Sequence, residues 1–329
     1  MRDISLVSAF DANLKRIANI LMLNASFINN LGLLNGKMGV AIFFYHYSKY
    51  SGNKIYDEYA GELMDEIYSD INTNTPINFE DGLTGIGWGI QYLVKNRFIE
   101  ADLEESLSEI DASLRYFYNY STEFIEKQDN FFGLSHYHIM RLNELHPIRE
   151  KTLAYIKNNK LDCLINYCEQ CIYKYQSLKS TTKKPIDQLI SVIWFLLESR
   201  RLGLFPTKCR KLLNEIINRI EEILVTHTSE SIVTLFKNGS ILEFLLKENL
   251  TGSQGVDEVF IKFSYMKVIF GSYIQDINLG SSVEELLCII NEDSYWVKIL
   301  DNFKKDKLSL TGIGGLGLGL MYILNCKQC

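Results

Sequence analysis

His136 and His138 are the residues through which this chain could move protons. They stand in the stretch Gly133-Leu134-Ser135-His136-Tyr137-His138-Ile139-Met140. An imidazole is the side chain that ordinarily changes charge near neutral pH, so it suits a general acid or base. Rings two positions apart leave different faces of a helix unless the stretch is a non-helical lead-in to one, and core packing is the alternative role for each. His46, which follows Tyr45 on an apolar run, reads as a core histidine.

Thiol and carboxylate chemistry have weaker candidates. Seven cysteines, an odd count with no framework spacing, fit reduced thiols better than disulfides. Cys326-Lys327-Gln328-Cys329 has CxxC spacing, but one pair does not fill a tetrahedral zinc shell. Cys163, Cys168 and Cys171 offer three thiols, yet the five-residue step turns Cys163 off the face shared by the other two, and buried thiols are the plain reading. Glu80, Asp81 and Asp129 stand just before glycine-rich stretches, either facing a basin or as ordinary charges at a helix N-terminus. A glycosidase would need two of them across a basin, about 5 to 10 Å apart. Tyr137, Trp88, Trp194 and the runs Phe43-Phe44-Tyr45 and Phe131-Phe132 read as core.

The elements that would position these groups are announced by glycine. Gly82-Leu83-Thr84-Gly85-Ile86-Gly87-Trp88-Gly89 sits directly before an apolar run at 90–94, and Leu83-Thr84-Gly85-Ile86-Gly87 recurs letter for letter as Leu310-Thr311-Gly312-Ile313-Gly314. Looser copies stand at 32–39 and 133–140, with Gly32, Gly82 and Gly133 spaced 50 and 51 residues apart. A fixed period of this length marks repeated supersecondary units that bury their apolar faces against one another. The repeats are therefore taken as 32–39, 82–89, 133–140 and 309–317, in a single domain spanning 1–329.

Between the glycine stretches, all-apolar helices alternate with amphipathic ones. Residues 4–22 carry apolar side chains at helical spacing, and a polar break follows at 24–30. The run 40–47 is apolar or aromatic nearly all round, so it predicts a buried helix. Tyr56, Tyr59, Ala60, Leu63, Met64, Ile67 and Tyr68 then share one face opposite a strip of carboxylates, which predicts an outer helix. The same alternation continues with a buried helix after Gly82, and then an amphipathic one opened by Asp102, with Glu105 completing a capping box. Residues 132–145 and 189–197 are the next buried candidates. Pro206 opens an amphipathic helix, Ser282 with Glu285 caps another, and a last buried helix follows Gly312; register between 230 and 280 stays open. Roughly twelve to fourteen helices in about six to seven pairs, without period-two strands, predict an all-α fold of the α/α-toroid type, a ring of inner helices within a ring of outer ones. Glycine where inner helices begin would let several backbones converge and leave a basin open.

Composition narrows the partners. Hydrophobic residues make up 47% and charged ones 22%, a globular balance. The net charge is −6 with Lys and Arg scattered, so no basic field exists to hold nucleic acid. The first residues lack the layout of a signal peptide and no apolar run is long enough for a membrane span, so the expected location is cytoplasmic.

These residues resemble the lanthionine synthetase C-like (LanC-like) family, whose repeats open with Gly-Leu-x-x-Gly-x-x-Gly on the inner helices of an α/α toroid. Gly32-Leu33-Leu34-Asn35-Gly36-Lys37-Met38-Gly39 fits every fixed position; 82–89 fits three of four, with Ile86 at the middle glycine. The likeness covers the first 140 residues and the last 25, and the middle by helical pattern alone. It implies a ribosomally made, post-translationally modified peptide as substrate or partner, as in lantibiotic biosynthesis. A cysteine thiol of that peptide would add to dehydroalanine or dehydrobutyrine, closing a thioether ring.

It also implies a zinc ion held by Cys-x-Gly and Cys-His-Gly motifs, but no cysteine here is followed by His or by x-Gly. No metal ligands are assigned and no cofactor is expected. Gly133-Leu134-Ser135-His136 resembles the family's Gly-Leu-Ser-His-Gly motif, with Tyr137 in place of the glycine. The resemblance and the repeat frame together make His136 the catalytic candidate, at the N-terminus of an inner helix and directed into the basin. In that frame His136 takes the place of Asn35, Gly85 and Gly312, and these three with His138 are the candidates for substrate binding. A non-catalytic peptide-binding or scaffold partner in peptide modification is the alternative.

Overall fold

The computed structural model describes residues 4–120, 128–145, 149–159, 161–177, 183–226, 308–310 and 312–326. The open stretch at 230–280, the helix expected from Ser282, and 327–329 lie outside them. The described residues are mostly helical and contain no strand, as the periodicity predicts for an all-α chain. The chain divides into two compact units, Met1–Glu100 with Gly255–Cys329, and Ala101–Gln254.

The first unit contains α1 (Ile4–Asn24), a 3-10 turn at Ala25–Phe27, α2 (Lys37–Ser51), α3 (Ile55–Asp70) and α4 (Leu83–Lys95). A helix from near the C-terminus, Ile313–Cys326, joins them, packing on α1 and α2. Helix α2 is buried nearly all round, from Lys37 to Tyr45 without interruption, as its unbroken apolar run requires. Phe44 lies edge-on to Tyr59 of α3, with ring centroids 4.9 Å apart, and flat on Tyr56 at 5.9 Å. Helix α3 buries Ala60, Leu63, Met64 and Ile67 and turns its carboxylates outward. Gly52 ends α2 in the left-handed region, φ +69°, where its N–H bonds to the Ser48 carbonyl at 2.9 Å; a side chain would strain that cap.

The second unit contains α5 (Leu103–Ser106), α6 (Ser108–Tyr120), α7 (Gln128–Leu145), α8 (Arg149–Asn158), α9 (Asp162–Ser177), α10 (Lys183–Arg201) and α11 (Pro206–Thr226). The Ile313–Cys326 helix is therefore α12. Asp102 caps α5, its Oδ1 accepting from the N–H groups of Glu104 and Glu105 at 2.8 and 3.2 Å. Leu107 then interrupts what the pattern reads as one helix. Helix α10 is central here, packing on α7, α9 and α11 through the buried run Val192, Ile193, Trp194, Phe195 and Leu196. Pro206 occupies the first position of α11, where its missing N–H costs no intrahelical bond.

Candidate functional site

In the first unit, three glycine-led helix starts meet. The first N–H groups of a helix have no partner inside it, and here each is satisfied by the loop that leads in. Lys37 and Met38 donate to the carbonyls of Asn30 and Leu31 at 2.9 and 3.3 Å, and Leu83 and Thr84 donate to those of Pro76 and Ile77 at 2.8 and 3.3 Å. Gly314 and Gly315 do the same to Leu308 and Ser309, at 3.0 and 3.3 Å. The loops also bond to one another: Leu34 N–H to the Glu80 carbonyl at 2.9 Å, and Ser309 Oγ to the Leu33 carbonyl at 3.2 Å. A Cβ on Gly32 would collide with the backbone of Asp81. Glycine is required there because two main chains touch.

This geometry corrects the repeat frame. Gly36 and Gly82 are the N-caps of α2 and α4, with nearly identical backbones, φ −128° and ψ −170° against φ −130° and ψ −166°. The equivalent positions are thus 46 residues apart instead of 50. Gly85 matches Gly39, and Asn35 matches Asp81. Asn35 and Gly85 are therefore not equivalent to one another. The reason is that hydrogen bonding to the lead-in loop, and not the letter pattern, sets where each helix starts.

Each candidate in this unit has a distinct setting. Half-buried Asn35 donates from Nδ2 to Asp81 Oδ1 at 3.0 Å, and Asn30 Nδ2 reaches the same oxygen at 2.6 Å. Gly85 is buried, and a Cβ on it would meet the Phe79 carbonyl and, at 3.0 Å, the Leu33 Cβ. Gly312 is half-buried and its N–H bonds to the Ser309 carbonyl at 3.0 Å. Buried Lys37, one residue into α2, pairs with Glu66 of α3 at 2.6 Å. Exposed Glu80 serves the loop contact through its carbonyl. His46 is half-buried on α2, with Nε2 2.7 Å from the Tyr92 hydroxyl, and desolvation together with nearby Lys49 lowers its pKa to about 4.

His136 and His138 belong to the second unit, and their setting departs from expectation. Helix α7 begins at Gln128, so Gly133 lies inside it and His136 sits about two turns from its start. It is not at a helix N-terminus. Asp129 in the first turn is a residue type that favours an earlier start. His136 is 5% exposed; its ring lies flat on Trp194 of α10, centroids 3.6 Å apart at 8°, and Phe132 leans on it at 4.2 Å. Burial, and not a helix dipole, lowers its pKa to about 3. Trp194, read from sequence as core, is thus the partner of the catalytic candidate.

Across α7 from His136 lies a buried polar network that the sequence pattern does not announce. Asp111 of α6 accepts from the hydroxyls of Tyr137 at 2.7 Å and Tyr155 of α8 at 3.3 Å through Oδ1, and from Arg141 at 3.0 Å through Oδ2. Tyr155 also meets His138 Nδ1 at 2.9 Å. His138 is fully buried, and burial followed by the Arg141 charge lowers its pKa to about 3. The Tyr137 hydroxyl is held well above its usual range by burial and by its neighbours Tyr155 and Asp111. One signal was available in the sequence: Asp111 falls between Ile110 and Leu114 on the inward stripe of α6, and Tyr137 and Arg141 are four apart on α7.

Two of the described thiols, Cys168 and Cys209, are closed to easy chemistry. Burial pushes Cys168 well above its usual range and Cys209 up to about 11, and Cys163 and Cys171 are half-buried. Cys288 and Cys329, and the side chains of Cys326 and Asp129, lie outside the described residues. Among the described residues no three His, Cys, Asp or Glu side chains are grouped to hold a metal ion, so none of these residues fits the zinc implied by the family likeness. No described helix is long and apolar enough to cross a membrane. Comparison with known proteins returned no matching family profile, no matching curated protein and no matching solved structure.

Proposed function

We propose that the chain is a lanthionine synthetase C-like protein of α/α-toroid architecture, acting in the cytoplasm on a ribosomally made, post-translationally modified peptide. The observation that carries this reading is the convergence of α2, α4 and α12 at their glycine-led starts, joined backbone to backbone at Gly32 and Asp81. The reaction is an addition without redox change. A peptide thiol loses its proton, sulfur bonds to the β-carbon of the dehydrated residue, and the resulting enolate takes a proton at the α-carbon. His136 is the group proposed to carry the proton.

A second reading is a non-catalytic peptide-binding partner, favoured by the burial of His136 beneath Trp194 and its weak basicity. One experiment separates the two. The protein is mixed with a dehydrated, cysteine-containing peptide, and ring closure is followed by loss of thiol alkylation, since cyclisation leaves the mass unchanged; binding is measured in parallel. Ring closure that is lost in His136→Asn while binding is kept supports the enzyme. Binding without closure by the wild type supports the scaffold, and neither binding nor closure ends both readings.

A further inference from the structure

We propose that Trp194 is a positioning residue for His136: its indole, flat on the imidazole at 3.6 Å, fixes the plane of that ring and shuts water away from it. The inference rests on the reading of His136 as the group that carries the proton.

Three observations bring α7 and α10 to this arrangement. The contact is face to face, at a separation shorter than the roughly 4.5 to 7 Å usual between aromatic centroids, so the imidazole has little freedom to rotate about its side-chain bonds. Phe132, one turn earlier on α7, leans on the same ring at 42° and closes a second approach. Helix α7 is itself held from its other side, where Tyr137 and Arg141 bond to Asp111 and His138 meets Tyr155. The helix therefore cannot turn to carry His136 away from Trp194. A reacting group must be held within a fraction of an ångström of its productive geometry, and a leucine at 194 would fill volume without fixing a ring plane.

Water exclusion has a measurable consequence. A buried imidazole favours its neutral form, and neither Trp194 nor Phe132, which pack on His136, carries a charge. The charged pair Asp111 and Arg141 lies on the other side of α7, and the Glu198 carboxylate of α10 pairs with Arg201 at 2.8 Å. Removing the indole admits water, and the imidazole then moves towards its ordinary titration.

The test is an NMR titration of His136, its ring resonances identified by their disappearance in His136→Gln. In the wild type the ring protons should be shifted upfield by the indole and should not titrate between about pH 5 and 8. In Trp194→Ala the midpoint should rise by about one pH unit or more, and kcat for ring closure should fall about tenfold with little change in KM. Trp194→Phe should restore both. Wild-type resonances at the positions of an exposed histidine overturn the proposal, as does a Trp194→Ala variant that titrates like the wild type or keeps full turnover. Should Trp194→Ala not fold, a midpoint inside that window in Trp194→Phe overturns it. Should the wild type close no ring, the enzyme reading fails, and the titration still decides the role of Trp194.

Discussion

At the scale of single residues, the three described histidines are held neutral, and the Asp111–Arg141 ion pair lies within a buried hydrogen-bond network. His136 and His138 have pKa values lowered to about 3 and His46 to about 4, in each case chiefly by burial. The unfolded chain would protonate all three near pH 6.5 while the folded chain does not, so in this window the unfolded state binds more protons and stability rises with pH. Their contribution is complete above about pH 6.5 and is lost progressively as pH falls towards about 3. Urea denaturation at stepped pH should show this decline, and His138→Gln should flatten part of it. Asp111→Ala has the opposite character, because it leaves the guanidinium of Arg141, 2% exposed, without its buried carboxylate and with only the exposed Glu104 at 3.4 Å. A loss of about 3 to 5 kcal/mol is expected at neutral pH, whereas Tyr137→Phe, which removes one hydroxyl bond, should cost about 1 kcal/mol. Equal losses in the two variants would contradict the central place of Asp111.

At the scale of elements, the starts of α2, α4 and α12 are places where backbone replaces side chain as the packing surface. The contrast between two glycines measures this. Gly61, within α3, has no atom within 4 Å of the place a Cβ would occupy, so Gly61→Ala should stabilise the protein by about 0.5 to 1 kcal/mol through helix propensity alone. Gly32→Ala drives a methyl group into the Asp81 backbone and should lower the thermal midpoint markedly. Thermal denaturation of both variants checks the pair, and a neutral Gly32→Ala would mean that the loops at 30–36 and 78–82 do not touch. The apolar periodicity made α1, α2, α3, α4 and α10 legible as elements, because each buried face repeats along its own helix, but the runs 40–47 and 189–197 marked only the middles of α2 and α10. The start of α7 was not legible: Gly133 looks like Gly82 in the chain, but Gly82 caps α4 whereas Gly133 lies inside α7, which begins at Gln128.

At the scale of the whole molecule, charge and composition allow a direct expectation. With a net charge of −6 and no basic stripe in the sequence, the protein should pass unretained through an immobilised polyanion at low salt; retention released by salt would show a phosphate-binding surface that the composition does not reveal. The sequence by itself determined the all-α class, the alternation of buried and amphipathic helices, and the glycine-led starts, since periodicity and punctuation act over a few neighbouring residues. Only the tertiary structure decided the register of the repeats, 46 residues in place of 50, because that register depends on which carbonyls of a folded-back loop meet the first N–H groups of each helix. It alone joined Asp111 to Arg141 and Trp194 to His136. Those contacts connect residues 30 and 58 positions apart, and no local pattern carries the free energy of a hydrogen bond or ring contact that forms only once separate helices have packed.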